Sequence, residues 1–476
     1  MKLFLTTVAA VCLCWGASAE IVLPKVLGSN MVLQQQSEVN LWGKADADSK
    51  VTVEVSWSDA KIQTHSDSEG RWAVKVATPA ASFDPQTITI SDGKSVTIDN
   101  ILIGDVWVCS GQSNMEMPVK GFGNQPVENS MEYIMRGGEE ASRIRMFTVQ
   151  RVRSFDKDLE DCAGGEWQCA SPASVADCSA TAYFFAYSLT HAAGIPVGII
   201  ATDWGGTRVE SWMPLSALKE CVTEAQFEQK FKLHDIKPSE LYCAMIAPIK
   251  NFTARGFLWY QGEANLGDID HYDTMMARMV EQWRSDWGDT ENAMPFYYAQ
   301  IAPYSYGNSN DISYPLFVET QVRALSKIPN CGMAATTDIG AENCIHPAQK
   351  FEVGQRLAAL ALAQTYGQGG FEAKAPRMES YEIRDGKVTV RMSNAGMGLA
   401  PWYGEAVTGF EIAGADRVFH KAKASISGSS VTVWSDEVKE PVAVRYAFRN
   451  YIENNLRNMF GIPSVPFRTD DWNDVK

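Results

Sequence analysis

The sequence predicts an α/β protein: a parallel sheet flanked by helices, with a β-sandwich module on its N-terminal side and a second β-module on its C-terminal side. Three observations predict it. Apolar and polar residues alternate with period two over 20–100 and again over 371–476. Between them, over 101–370, short apolar runs alternate with stretches of helical periodicity, the pattern of strands joined by helical crossovers. The chain is 476 residues long with 45% apolar and 21% charged side chains. That length suits two or three packed domains, and the composition excludes disordered, collagen-like and coiled-coil chains.

The elements follow in order. Residues 1–19 read as an export signal: Lys2 is followed by an apolar run too short to span a bilayer, then by Ala17-Ser18-Ala19, a small-x-small cleavage pattern. The N-terminal module, 20–100, carries period-two strands at 51–55, 72–76 and 87–90, and Asp92-Gly93 turns the last into a strand at 95–98. The central region, 101–370, carries strands at 103–109, 144–149, 197–202, 256–260, 296–301 and 333–337. Ser179 caps a helix that ends before Gly194, another helix spans 272–287, and a third starts at Pro347, a favoured first position, and runs to about Tyr366. The C-terminal module, 371–476, has strands at 387–391, 430–434 and 442–446. No later segment is long and apolar enough for a membrane span.

Charge and cysteine usage bound the partners. With 42 Lys and Arg against 57 Asp and Glu, the net charge is −15. Such a surface repels phosphate backbones and anionic membranes, so nucleic acid is not an expected partner. Eight cysteines follow the signal. In an oxidising compartment the default reading is disulfides, with one pair among Cys162, Cys169 and Cys178, and local bridges Cys221–Cys243 and Cys331–Cys344. Cys109 ends an apolar strand and is expected to stay reduced. No pair has the CxxC spacing of a zinc site.

In a parallel sheet, chemistry gathers at the carboxyl ends of the strands. Four such ends are polar here. The first, 109–115, places Ser113 on a tight turn, where a hydroxyl can stand above the sheet, with Gln112 beside it; its context is not the GxSxG elbow. The second carries Gly205-Gly206, which allow a close backbone approach to a ligand, followed by Arg208. The third delivers Gln261, Glu263 and Asn265 within five residues; an amide can stabilise negative charge without bearing one, and a carboxylate can orient a neighbour or bind sugar hydroxyls. The fourth leads through Asp338 and Glu342 to His346, a candidate general base. Each feature alone also fits an ordinary polar turn.

Taken together, these blocks resemble the sialate O-acetylesterases, a branch of the SGNH-hydrolase superfamily. The matching stretches are 104–115, 204–207, 245–248, 259–265, 338–340 and 345–347. The resemblance implies an SGNH-like sheet and an enzyme that removes O-acetyl groups from sialic acids through an acetyl-enzyme, without metal or organic cofactor; the export signal places it in a periplasm, an extracellular space or, in a eukaryotic host, a lysosome-like lumen. It implies Ser113 as nucleophile, His346 as general base and acid, and oxyanion donors from the N–H groups of Ser113 and Gly206 and from Gln261. Gln112, Arg208, Glu263, Asn265 and Asp338 are the expected substrate-binding or orienting residues. The chain departs from the pattern beside the base: Asn343 and Cys344 stand where relatives carry Asp. The expected orienter of His346 is therefore a backbone carbonyl, leaving a Ser–His dyad, or Asp338. Esterase action on acetylated xylan or another glycan, and noncatalytic glycan binding by the β-modules, are the alternatives.

Overall fold

The computed structural model describes residues 21–233, 235–401 and 404–473; the expected export signal, 1–19, lies outside them. The centre is a seven-strand path. Its strands are β1 (Ser95–Gly111), β2 (Ile144–Thr148), β3 (Trp167–Cys169), β4 (Val197–Asp203), β5 (Gly256–Tyr260), β6 (Phe296–Ala299) and β7 (Cys331–Ala334). They lie in the order β7-β6-β5-β1-β4-β2-β3, and every pair is parallel except β2 with the short edge strand β3.

The composition of these strands explains their place. β4 and β5 are buried at every position, as strands covered by helices on both faces must be. Successive side chains alternate between the two layers. Trp107, Cys109, Ile199, Leu258 and Tyr260 pack with Phe184, Phe185, Val353 and Leu357, which lie on helices α2 (Ala180–Ala193) and α5 (Lys350–Gln364). Val108, Ile200, Phe257 and Trp259 face the opposite layer with Met275, Met279, Phe317 and Val318, on α3 (Tyr272–Asp286) and α4 (Ser313–Lys327). Ser179 caps α2 as expected, its hydroxyl accepting from the Ala182 N–H, and Gly194 closes the helix at φ +68°. α5 starts three residues later than Pro347, because the chain bends at residue 348 and the Lys350 N–H bonds to Ala348 O in a tight turn at Gln349.

The two β-modules attach differently. On the N-terminal side, β1 is one continuous strand that begins in a hairpin with Ser82–Ser91, closed by Ser91 opposite Ser95, and ends in the parallel sheet. A single strand therefore crosses residue 100 and fixes the module rigidly to the sheet. On the C-terminal side, two four-stranded antiparallel sheets face each other. Val388, Val390, Val431 and Val433 of one pack against Phe410, Ile412, Val444 and Tyr446 of the other. Asn450, fully buried, pins this module to the central domain: it donates to Ser305 O and Asn308 O and accepts from the Tyr314 N–H and the Ser313 hydroxyl.

The expected disulfides do not form. All eight cysteines of the described residues are free thiols. Cys221 Sγ donates to Ala217 O, Cys243 Sγ contacts Ser239 Oγ, Cys331 Sγ turns toward Leu325 O, and Cys344 Sγ donates to His346 O. The members of each expected pair thus point at different partners. Cys109, Cys162 and Cys178 are buried in apolar layers, and burial raises each thiol well above its ordinary range, Cys162 to about 12.

Candidate active site

β1 reaches the site through Gly111, at φ +146°; a Cβ there would lie 2.2 Å from Tyr260 O, so only glycine lets β1 and β5 run this close. Gln112 then ties the two strand ends. Its N–H donates to Tyr260 O at 3.0 Å, and its Oε1 accepts from the N–H groups of Gly262 and Ala264, both at 3.2 Å. Gln112 is therefore an orienting residue for the 262–264 loop. Ser113 opens the single-turn helix α1 (Ser113–Glu116) and is half-buried. Among the described residues its hydroxyl and its N–H have no hydrogen-bond partner, which leaves both available to a ligand.

The loop after β7 brings His346 to the same end of the sheet. Asn114, next to Ser113, donates to the carbonyl of Ile345, next to His346, at 3.1 Å, lacing the two segments together. His346 Nδ1 lies 2.7 Å from Gln125 Oε1. Because a carbonyl oxygen only accepts, Nδ1 carries the proton and Nε2 keeps its lone pair. The Phe122 ring packs edge-on against the imidazole at 5.2 Å. Burial, reinforced by the Lys350 ammonium, lowers His346 to about 4, so the imidazole is neutral at ordinary pH.

This arrangement corrects the expected orienters. Asp338 gives both oxygens to Arg356, each at 2.8 Å, and lies 3.7 Å from Arg457. It is a structural ion pair, because two buried guanidinium groups need a counter-charge. Among the described residues no backbone carbonyl holds the imidazole either. The partner is Gln125, a residue that no motif or spacing singles out. It sits in a 122–125 turn, 221 positions from His346, outside every strand end.

The glycine pair divides in two. The Gly205 N–H donates to Glu116 Oε2 at 2.5 Å, and a Cβ on Gly205 would lie 3.3 Å from Ser113 Cβ. Gly206, at φ +72°, is exposed, and its N–H has no partner among the described residues. Gly206 and Ser113 are therefore the two candidate oxyanion donors the geometry leaves free. Gln261 is not a third. It is fully buried, both of its amide hydrogens are donated, to Thr207 O at 3.1 Å and Asn265 Oδ1 at 2.7 Å, and its Oε1 accepts from Tyr272.

Two further expectations change. Asn265 is saturated: its Nδ2 donates to Glu210 and Asp268, and its Oδ1 accepts from Val209 N–H and Gln261. Arg208 pairs with Glu210 and Asp268 and donates to Ala264 O, while Lys230 bridges the same two carboxylates. Burial pushes Glu210 up, but Arg208 and Lys230 outweigh it and bring the carboxyl to about 2. Arg208 and Asn265 thus build the loop and are not free to grip a substrate. Glu263 orients a neighbour, as one of its expected roles, through Asn114 Nδ2 at 2.6 Å; burial raises its carboxyl.

Fold and site together define a hydrolase of the SGNH type. The family model for carbohydrate esterase, sialic acid-specific acetylesterase, matches residues 103–363. A crystal structure of a carbohydrate acetylesterase from Xanthomonas citri superposes with a TM-score of 0.85 at 33% identity, covering 95% of this chain and 100% of that one. Sialate O-acetylesterase of Homo sapiens is 28% identical over 395 residues, 75% of this chain and 73% of that protein. The mouse protein of the same name is 27% identical over 413 residues, 74% of this chain and 75% of its own. The chain belongs to the carbohydrate esterase, sialic acid-specific acetylesterase family, and it is a carboxylic ester hydrolase.

Proposed function

We propose that this protein is an exported esterase that removes O-acetyl groups from sialic acids by Ser–His catalysis through an acetyl-enzyme. The observation that carries the catalytic reading is the 2.7 Å contact between Gln125 Oε1 and His346 Nδ1, which leaves Nε2 as the basic nitrogen in a loop laced to Ser113. Ser113 Oγ attacks the acetyl carbonyl carbon as His346 Nε2 takes its proton. The N–H groups of Ser113 and Gly206 receive the oxyanion, each worth roughly 3 kcal/mol. His346 then protonates the sugar oxygen, which leaves. Water attacks the acetyl ester of Ser113 as His346 Nε2 accepts one of its protons; His346 returns that proton to Ser113 Oγ as the C–Oγ bond breaks, releasing acetic acid, which ionises to acetate.

The relatives named sialate O-acetylesterase support the sialate substrate. One observation favours a second reading, an ester of a neutral glycan: Arg208, the expected partner of a sugar carboxylate, is already paired. Export rests on the N-terminal sequence pattern, Lys2 with an apolar run and Ala17-Ser18-Ala19. Ser113→Ala, assayed on an aryl acetate, is expected to abolish turnover with the fold intact; full retained activity overturns the catalytic reading. Acetate release from O-acetylated sialic acid against acetyl-xylan decides between the two substrates.

A further inference from the structure

Beneath the nucleophile lies a buried charge pair that the proposed reaction does not use. Lys350, the first residue of α5, is fully buried. Its Nζ donates to Asn114 Oδ1 at 2.6 Å, the one hydrogen bond its ammonium makes among the described residues, and lies 5.6 Å above the Tyr260 ring. The other end of the same amide donates to Glu263 Oε1 at 2.6 Å and to Ile345 O at 3.1 Å. Asn114 therefore joins an ammonium, a carboxylate and the carbonyl next to His346. The second Glu263 oxygen and the Tyr260 and Tyr306 hydroxyls are buried without partners, so nothing else competes to neutralise the pair.

We infer that Lys350 is a positioning residue: acting through Asn114, it fixes the His346 loop against the Ser113 turn. This rests on the Ser113–His346 reading above. An amide held between opposite charges is polarised, and its hydrogen bonds to both are charge-assisted and short. Such a link costs desolvation of two charges, so an apolar pair would serve stability equally well. The particular gain here is geometric and electrostatic. The groups that face this ammonium are Glu263 beyond β5, Cys344 and His346 in its own loop, and the aromatic face of Tyr260. Glu263, its own carboxyl raised by burial, is the carboxylate nearest this network, and burial lowers Lys350 to about 7 even so. The same ammonium acts on His346 in the direction that keeps it neutral.

The test compares Lys350→Met, which removes donor and charge, with Lys350→Gln, which keeps a donor, and with Ser113→Ala. Turnover of p-nitrophenyl acetate is followed across pH, and the His346 ring is titrated by NMR. Lys350→Met is expected to lower kcat by up to on the order of 10²-fold, the cost of a misplaced reacting group, with KM nearly unchanged. Both Lys350 variants are expected to move the His346 titration and the acid limb upward from about 4 toward the ordinary imidazole value. Lys350→Gln is expected to recover part of kcat. Loss of activity in Ser113→Ala, with kcat and the His346 titration unmoved in both Lys350 variants, overturns the inference alone. Activity retained in Ser113→Ala overturns the underlying reading instead. If Lys350→Met fails to fold, the NMR titration of Lys350→Gln still decides.

Discussion

Gln125 offers the sharpest test of the site, because among the described residues it is the side chain that holds His346 Nδ1. Its contact with His346 is a neutral hydrogen bond of 2.7 Å, worth about 1 kcal/mol net. Gln125→Ala removes the acceptor that holds the proton on Nδ1. The imidazole then divides between two tautomers and more than one orientation, and only one presents Nε2 to Ser113. A loss of about 1 kcal/mol corresponds to roughly a fivefold fall in kcat, far less than removal of the base itself. Gln125→Glu acts in the opposite sense on charge. A carboxylate beside Nδ1 favours the imidazolium, so it raises the His346 pKa from about 4 and moves the acid limb of kcat/KM to higher pH. It retains the acceptor, so the alkaline plateau is kept. The assay is aryl acetate hydrolysis across pH for the three proteins. Undiminished kcat in Gln125→Ala, or a limb in Gln125→Glu that stays put or moves down, refutes the assignment of Gln125 as the orienter.

Two further outcomes follow from the same geometry. In the unaltered enzyme the imidazole is basic above about pH 4, so kcat/KM is expected to stay flat from neutral pH down to about 5 and fall only near 4; a limb centred near the ordinary 6.5 contradicts the buried, cation-flanked setting. Gln261→Leu strands the buried Thr207 carbonyl and loosens Asn265, so it is expected to cost about 1–3 kcal/mol of stability and lower Tm by several degrees while the folded fraction still turns over. An unchanged Tm with a ~10²- to 10³-fold loss of kcat, the signature of a lost oxyanion donor, returns Gln261 to that role.

The parts of this molecule legible in the sequence are those set by local periodicity. β5 is legible to its boundaries because Gly256 opens a run of four apolar residues that ends at the polar Gln261, and α2 because Ser179 and Gly194 punctuate it. α4 is not legible: its N-cap is Ile312, with no side-chain cap, so the start carries no signal. The strand ends that gather chemistry were also legible, since polar residues directly after buried strands are conspicuous. What each polar residue does there was not. Gln261 and Arg208 have the right chemistry for oxyanion and carboxylate binding, yet their hydrogen bonds are consumed by Thr207, Asn265, Glu210 and Asp268, partners fixed only by folding. Gln125, Lys350 and the cysteine partners are likewise questions of long-range proximity. Spacing along the chain carries no information about a contact 221 residues apart.

Substrate choice is decided near Ser113 and not by the net charge of −15. The reacting ester is neutral, and at physiological salt a distant surface charge is screened beyond about 8 Å, so the overall field slows the approach of an acidic sugar without discriminating once it is bound. At the site, Glu116 on α1 occupies the Gly205 N–H and lies 3.4 Å from Arg151, which also holds Asp203 at 2.7 Å. With Arg208 consumed, Arg151 is the cation beside α1 that keeps substantial contact with water, 37% of its side chain being exposed. A sialate carboxylate would have to compete with Glu116 for that guanidinium, whereas a neutral acetylated sugar leaves the pair intact and meets only its polar rim. An acidic sugar that engaged Arg151 is thus expected to bind more weakly than a neutral one, by the cost of displacing Glu116 from that guanidinium, a difference that the KM values for the two substrates measure.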